Sequence, residues 1–304
     1  MHNTLVVITG PTAVGKTALS IEIAKHLNTN IISADSRQFY KEISIGTAKP
    51  SDKELNACVH HFINNISLKE NYSAAEYEQE AIALIETQFK KHNELILTGG
   101  SGLYVDAVCN GFDDAPPSDP NVRIELENIL HHKGLKAIQD LLIELDNEYA
   151  QKVDLNNPQR VLRAIEINKL SGKNISFFQK GEAKKRAFKI LKICITMERS
   201  LLYERINKRV DEMILAGLED EALAYYHLRA MNALQTVGYK EFFDYFEGKL
   251  AFNETVEKIK QNSRNYAKRQ LTWFKRDKAY VWFDITKEKE FILPYILKQL
   301  STRS

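Results

Sequence analysis

The segment Gly10-Pro11-Thr12-Ala13-Val14-Gly15-Lys16-Thr17 limits the folds open to this chain more than any other. It fits G-x-x-x-x-G-K-[ST], lies just after an apolar run at 5–8, and opens a stretch at 16–27 with helical spacing. A strand that turns through such a loop into a helix is the first unit of a parallel sheet covered by helices. The glycines let backbone N–H groups turn inward around phosphate oxygens, and the helix N-terminus adds partial positive charge. Lys16 then neutralises the outer phosphate, and the Thr17 hydroxyl is the candidate ligand for Mg²⁺.

Strand and helix signals continue to alternate through the first hundred residues. Apolar runs at 31–32 and 95–97 read as buried strands. A helix is predicted to begin at Ser73, where Ser73 and Glu76 form a capping box and Tyr77, Ala81, Leu84 and Ile85 supply the apolar stripe. Gly99-Gly100-Ser101-Gly102 is a second tight turn at a strand's end, and ligands of open α/β sheets sit outside those ends. The texture changes at the turn-rich DDAPPSDP of 113–120. Helical spacing follows, with Asn157-Pro158 as an N-cap and first-turn proline, and dominates again from 200 to 278 before a strand-like 280–285. The expected architecture is an α/β fold: a P-loop NTPase-like parallel-sheet core flanked by helices. Its core is built from 1–115 and 188–304, and a smaller all-helical insertion domain occupies 116–187.

Composition mainly excludes. The 304 residues are 44% hydrophobic, ordinary for a chain with a real core. No run approaches the roughly 18 apolar residues that span a bilayer, and the chain starts without a cationic leader. A cytoplasmic protein away from membranes is expected. Cys58, Cys109 and Cys194 are far apart and read as reduced thiols. His60 and His61 are adjacent and suit one ion poorly, so a structural or hydrogen-bonding role is expected. Net charge is only +2, yet basic residues gather at Lys184, Lys185, Arg186, Lys189 and Lys192, and again from Lys258 to Arg276. Each cluster alone is as readily a solvated face as a contact. Beside a phosphate-binding loop, two of them favour a polyanionic partner.

The loop does not name a reaction. P-loop kinases and ATPases need a second acidic magnesium ligand, usually an Asp ending a buried strand. The best candidate strand here ends in Thr98-Gly99-Gly100, without a carboxylate. Asp35, in Ser33-Ala34-Asp35-Ser36-Arg37-Gln38, ends the second strand and faces the same crevice. Taken alone, it reads as a turn or capping residue before it reads as a catalytic one.

Together the motifs resemble one family, the bacterial tRNA dimethylallyltransferases (tRNA isopentenyltransferases). The resemblance covers nearly the full chain: GPTAVGKT at 10–17, SADSRQFY at 33–40, IGTAKP at 45–50, HHFIN at 60–64, YSAAEY at 72–77 and GGSGLY at 99–104. It continues through NPQRVLRAIE at 157–166, RINKRVDEMILAGL at 205–218, QTVGYKE at 235–241 and RNYAKRQLTWFKR at 264–276. The P-loop is shared by many families, whereas the order and spacing of the rest is specific.

The resemblance implies transfer of a dimethylallyl group from dimethylallyl diphosphate to N6 of adenosine 37, beside the tRNA anticodon, with release of diphosphate. It implies that Gly10, Pro11, Thr12, Ala13, Val14, Gly15, Lys16 and Thr17 hold the donor's diphosphate, with Mg²⁺ on Thr17. Asp35 would take the N6 proton, Ser101 would sit beside the reacting adenosine, and Arg209 would bind the leaving diphosphate. Contacts to tRNA would come from Asp35, Ser36, Arg37, Gln38, Ser101 and Arg123, from Gln159, Arg160, Val161, Leu162 and Arg163, and from Gln235, Thr236, Val237, Gly238, Tyr239 and Lys240. The protein is expected to act as a monomer and to flip the adenosine into a channel between core and insert.

Helix geometry agrees: Leu202, Ile206, Val210, Met213 and Ile214 follow one apolar stripe, leaving Arg205 and Arg209 four apart on another face. Lys260, Arg264 and Lys268 form a basic stripe, and Tyr266, Trp273 and Phe274 are expected to be core. The sequence departs from the family's wording at Ser101, where threonine is commoner, and at Ser44, where aspartate is usual. The zinc-finger extension of eukaryotic relatives is not matched, so tRNA grip is expected from core and insert. Three other readings compete: prenylation of free AMP or ADP, a P-loop nucleotide kinase, and a non-catalytic RNA-binding GTPase- or ATPase-like module. The insert opposes the first, the missing strand-end carboxylate the second, and Asp35 with the full motif set the third.

Overall fold

A computed structural model describes residues 3–70, 72–178 and 183–302. Six strands form one parallel sheet: β1 (Thr4–Thr9), β2 (Ile31–Ser33), β3 (His60–His61), β4 (Glu94–Gly99), β5 (Lys189–Thr196) and β6 (Val281–Asp284), in the order β3-β2-β4-β1-β5-β6. The central β1 is buried along its whole length. Successive side chains of a strand point to opposite faces. Leu5 and Val7 accordingly enter one hydrophobic cluster, with Leu95 and Leu97, while Val6 and Ile8 enter another, with Ile96, Ile193 and Ile195. Both faces are covered by helices, as a parallel sheet requires.

The helix Ala74–Gln88 starts at the expected capping box, with the Ser73 hydroxyl accepting from Glu76 N–H and the Glu76 carboxylate accepting from Ser73 N–H at 2.7 Å. One element has another place than its sequence suggested. Lys189 and Lys192, read with a basic cluster, belong to β5, which pairs with the centre of the sheet. Lys192 is buried and pairs with Asp277 at 2.7 Å, and Arg186 pairs with Glu78 at 2.9 Å. Two of that cluster's five residues, Arg186 and Lys192, are therefore structural. His60 and His61 form the short edge strand β3 against Ile31 and Ile32.

The chain divides into two compact units, one from residues up to Cys109 together with those from Arg186 onward, the other from Asn110 to Lys185. Residues 179–182 of the segment read as an insertion lie outside the described residues. The smaller unit is built on Pro120–Leu145, which kinks at Gly134, and on Pro158–Ser171. Asn157 accepts from Arg160 N–H to cap the second of these helices. Leu126, Ile138, Leu142, Val161, Leu162 and Ile165 are its fully buried core. Among the described residues, no helix is long and apolar enough to cross a membrane.

Candidate active site

The larger unit brings three strand ends together. After β1 the P-loop turns through Gly10, Ala13 and Gly15, all at positive φ, into the helix Lys16–Leu27. Gly15 at φ 107° adopts the left-handed geometry that glycine allows at least cost. The Lys16 ammonium donates to the carbonyls of Gly10 (3.0 Å) and Pro11 (2.9 Å). Burial lowers the Lys16 pKa to about 8, with Arg209 adding to the fall and Asp35 opposing it. From the helix Arg199–Leu215, Arg209 reaches the Thr12 hydroxyl at 3.4 Å and Arg205 the Val14 carbonyl at 3.4 Å. Leu202, Ile206 and Val210 are buried on the opposing stripe.

Asp35 stands just beyond β2. Its carboxylate accepts from Arg37 N–H at 3.1 Å, and burial raises its pKa above the ordinary carboxylate value despite the nearby Lys16 and Arg37 charges. A carboxyl held this way is more basic than a surface aspartate, which suits it to accept a proton. Ser101, 9% exposed, accepts from Ser36 N–H at 3.0 Å and donates to the Ser36 hydroxyl at 3.0 Å. The turns after β2 and β4 are thereby tied together.

The long helix Phe252–Phe274 closes one wall. Tyr266 lies beside Ser101 and Asp35, and burial pushes its phenol up to about 12, so it stays protonated near neutrality. One turn on, buried Gln270 accepts from Thr12 N–H at 2.8 Å and donates to the Gly100 carbonyl at 2.8 Å. Trp273 donates its indole N–H to Asp106 at 2.8 Å, and Arg276 lies over its ring at 3.9 Å. Of the three aromatics expected as core, only Phe274 is fully buried, at 1% exposure; Tyr266 faces the site instead. The Lys260–Arg264–Lys268 stripe is also partly spent within the fold. Lys260 pairs with Asp211 at 2.7 Å and Arg264 bonds Asn207 at 2.5 Å.

These elements surround a cavity of about 620 Å³. Thr12, Asp35, Arg37, Arg209 and Tyr266 line it together with Gln235, Thr236, Val237, Gly238 and Lys240, and Ile206, Val210, Met213 and Ile259 give it an apolar flank. Its volume matches small-molecule sites in general.

A family model for IPP transferase matches residues 38–277. The chain belongs to the IPP transferase family. The match begins downstream of the P-loop and Asp35, so membership does not depend on the phosphate-binding motif. The chain is 47% identical to a tRNA dimethylallyltransferase of Flavobacterium johnsoniae, over 98% of each chain. It is also 47% identical to tRNA dimethylallyltransferase 1 of Bacteroides fragilis, over 96% of this chain and 97% of the relative. Among solved structures it resembles the tRNA isopentenylpyrophosphate transferase of Bacillus halodurans, with a TM-score of 0.73, 39% identity, and 98% and 97% of the two chains covered. A eukaryotic dimethylallyltransferase acting on tRNA matches with a TM-score of 0.81 and 27% identity, over 99% of this chain and 80% of that one.

Within this family member, not every residue expected to touch nucleic acid is free to do so. Tyr239 is fully buried and donates to Glu221 at 2.5 Å, so its side chain is a structural post rather than a contact. Glu221 also accepts from the N–H groups of Ser44, Ile45 and Gly46 at 2.8 to 3.0 Å, fixing the loop at the cavity's rim. Gln38 spends its amide on the carbonyls of Thr47 and Ala48. In the smaller unit, Val161 and Leu162 are fully buried and are corrected to core residues. Gln159 and Arg160 are exposed on the same helix. Arg123 bonds Gln159 and pairs with Glu127 at 2.9 Å, while Arg163 pairs at 2.9 Å with the fully buried Glu166. Gln270, Tyr266 and Glu221 went unassigned from sequence. Gln270 shared the RQLTWFKR motif with arginines and aromatics that drew the reading instead, and nothing local in sequence signals a side chain that bonds 258 residues away.

Proposed function

We propose that this chain transfers a dimethylallyl group from dimethylallyl diphosphate to N6 of adenosine 37 in tRNA, releasing diphosphate. The observation that carries the reading is one cavity lined by a buried, raised-pKa carboxyl, Asp35, and by Arg209, with the P-loop's Lys16 near enough to feel both charges. In the reaction the N6 lone pair forms a bond to C1 of the donor, and the C1–O bond breaks with its electron pair leaving on diphosphate. Asp35 receives the N6 proton. An exocyclic adenine amine is a weak nucleophile because its lone pair is delocalised, and a positioned base contributes about 10²–10⁴-fold.

P-loop N–H groups, Lys16 and Arg209 take up the charge that develops on the departing diphosphate. Ser101 holds the Asp35–Ser36 turn in place at the acceptor side, beside the protonated Tyr266. The apolar flank of Ile206, Val210, Met213 and Ile259 suits a five-carbon chain. Thr98, at the strand end where a kinase would carry an acid, donates instead to the Ile8 carbonyl and accepts from Ser20. That arrangement supports group transfer at carbon over phosphoryl transfer.

Mg²⁺ fits the cradle as an ion carried by the diphosphate. The Thr17 hydroxyl is free of side-chain hydrogen bonds, and among the described residues no group of three or more His, Cys, Asp or Glu stands ready to hold a metal by itself. Thr17 would supply the protein's oxygen, with the remaining ligands from diphosphate and water. When bound, the ion neutralises diphosphate charge.

On the acceptor side, Asp35, Ser36, Arg37, Ser101, Gln235, Thr236, Val237, Gly238 and Lys240 meet the anticodon loop. Arg123, Gln159, Arg160 and Arg163 of the smaller unit meet the RNA backbone. The chain works in the cytoplasm, in keeping with free Cys58, Cys109 and Cys194, and acts as a monomer. The deciding experiment incubates the protein with Mg²⁺, labelled dimethylallyl diphosphate and unmodified tRNA, with AMP in a parallel reaction. Label entering tRNA is expected; label entering AMP but not tRNA would overturn the reading.

A further inference from the structure

Gln270 sits where the two halves of the reaction must be brought into register. Its amide can lie only one way round: the oxygen faces the Thr12 N–H of the P-loop at 2.8 Å, and the nitrogen faces the Gly100 carbonyl at 2.8 Å. It is 5% exposed, so both bonds are shielded from competing water. On one side lies the loop that grips the leaving group. On the other lies the turn whose Ser101 is bonded to Ser36, the neighbour of Asp35. The fit is close, since a Cβ on Gly100 would come within 2.3 Å of the Gln270 nitrogen and 3.6 Å of the Lys16 ammonium.

We infer that Gln270 is a positioning residue that sets the distance between the diphosphate cradle and the proton acceptor, without touching either substrate. The inference rests on the proposed prenyl transfer. A rigid two-ended bridge of this kind governs the approach of N6 to C1, and a misplacement of about 1 Å at a reacting centre costs on the order of 10²-fold in rate. Binding of each substrate alone does not depend on that separation. Loss of the bridge should therefore appear in kcat and leave KM nearly alone.

The test compares wild type with Gln270→Met, which keeps the volume and loses both bonds, and Gln270→Glu, which keeps an acceptor for Thr12 and loses the donor to Gly100. Wild-type label transfer to tRNA is measured first, because its absence would defeat the proposed function and not the role of Gln270. For Gln270→Met the single-turnover rate is expected to fall about 10- to 100-fold. KM for tRNA should stay within about threefold, as should the affinity for inorganic diphosphate. Gln270→Glu should lose less. A normal rate in both variants would overturn the inference. So would a rise in diphosphate affinity in Gln270→Met, which would mean that Gln270 merely plugs the cradle. A rate loss matched by an equal loss of folded protein in thermal melts of both variants would also overturn it, by making the role structural.

Discussion

The turn after β1 and the turn after β4 lie side by side, since the two strands pair in register from Thr4 with Glu94 to Thr9 with Gly99. In the first, Gly15 has φ 107° and a side chain there would meet nothing within 4 Å; glycine is needed for the backbone angle. In the second, Gly100 has no such angle but would drive a Cβ to 2.3 Å from Gln270; glycine is needed for space. One turn takes its shape from its own backbone angles at Gly10, Ala13 and Gly15. The other is shaped by the rest of the protein, through Ser36, Tyr266 and Gln270. The leaving-group side is thus built on a local motif that Arg205, Arg209 and Gln270 reach from afar, and the acceptor side is assembled from distant parts of the chain.

The largest test of that division is Asp35→Asn. Turnover is expected to fall about 10²–10⁴-fold while tRNA binding is kept, measured by single-turnover transfer and filter binding. Next come the glycines. Gly15→Ala forces a strained φ, on the order of 1–3 kcal/mol, and should appear mainly as weaker binding of dimethylallyl diphosphate. Gly100→Ala should leave diphosphate binding close to normal and lower kcat about tenfold or more by displacing Gln270. If both variants failed in the same kinetic constant, the two turns would not divide the work as described.

A pH profile sharpens the contrast further. Lys16 loses its proton above about pH 8 in the free enzyme, so kcat/KM for the diphosphate donor should fall on the alkaline side. Asp35 has a raised pKa and acts as a base, so kcat/KM for tRNA should fall on the acid side, at a pH above the ordinary carboxylate value of about 3.9. Asp35→Asn should abolish the acid limb and leave the alkaline one. Smaller effects are expected in the insert. Arg160→Ala, at an exposed site, should weaken tRNA binding a few-fold and lower its salt dependence. Arg163→Ala should also lower the insert's thermal stability, because it strands the buried Glu166. Ser101→Thr keeps the hydroxyl and should stay within about threefold of wild type in the transfer assay.

Local features were legible in the sequence. β1, β2 and β4 announced themselves as apolar runs, the Ser73–Glu76 cap and the Asn157-Pro158 start follow from side-chain chemistry within one turn, and the stripe of Leu202, Ile206 and Val210 follows from helical period. β5 was hidden because Lys189 and Lys192 give it the look of a surface, and its buried lysine pairs with Asp277, 85 residues later. In the same way Val161 and Leu162 were swept into a nucleic-acid run by their neighbours, although their apolar side chains belong inside. Asp35 was visible as a candidate, but its burial and the network behind it were not, since they arise from Tyr266 and Gln270 packing across the whole length of the chain.

The bond from Gln270 to Thr12 also bears on when this protein becomes active during its synthesis. A nascent chain that has emerged through Gly10, Lys16 and Asp35 already contains the phosphate loop and the base. The sheet, however, lacks one of the two strands beside β1 until residue 196 is out, and the bridge to the loop is missing until the Phe252–Phe274 helix follows. Domains tend to fold from the N-terminus as synthesis proceeds. Here the bridge cannot form until residue 270 has emerged, so products truncated before it would carry the motif without the register that Gln270 supplies.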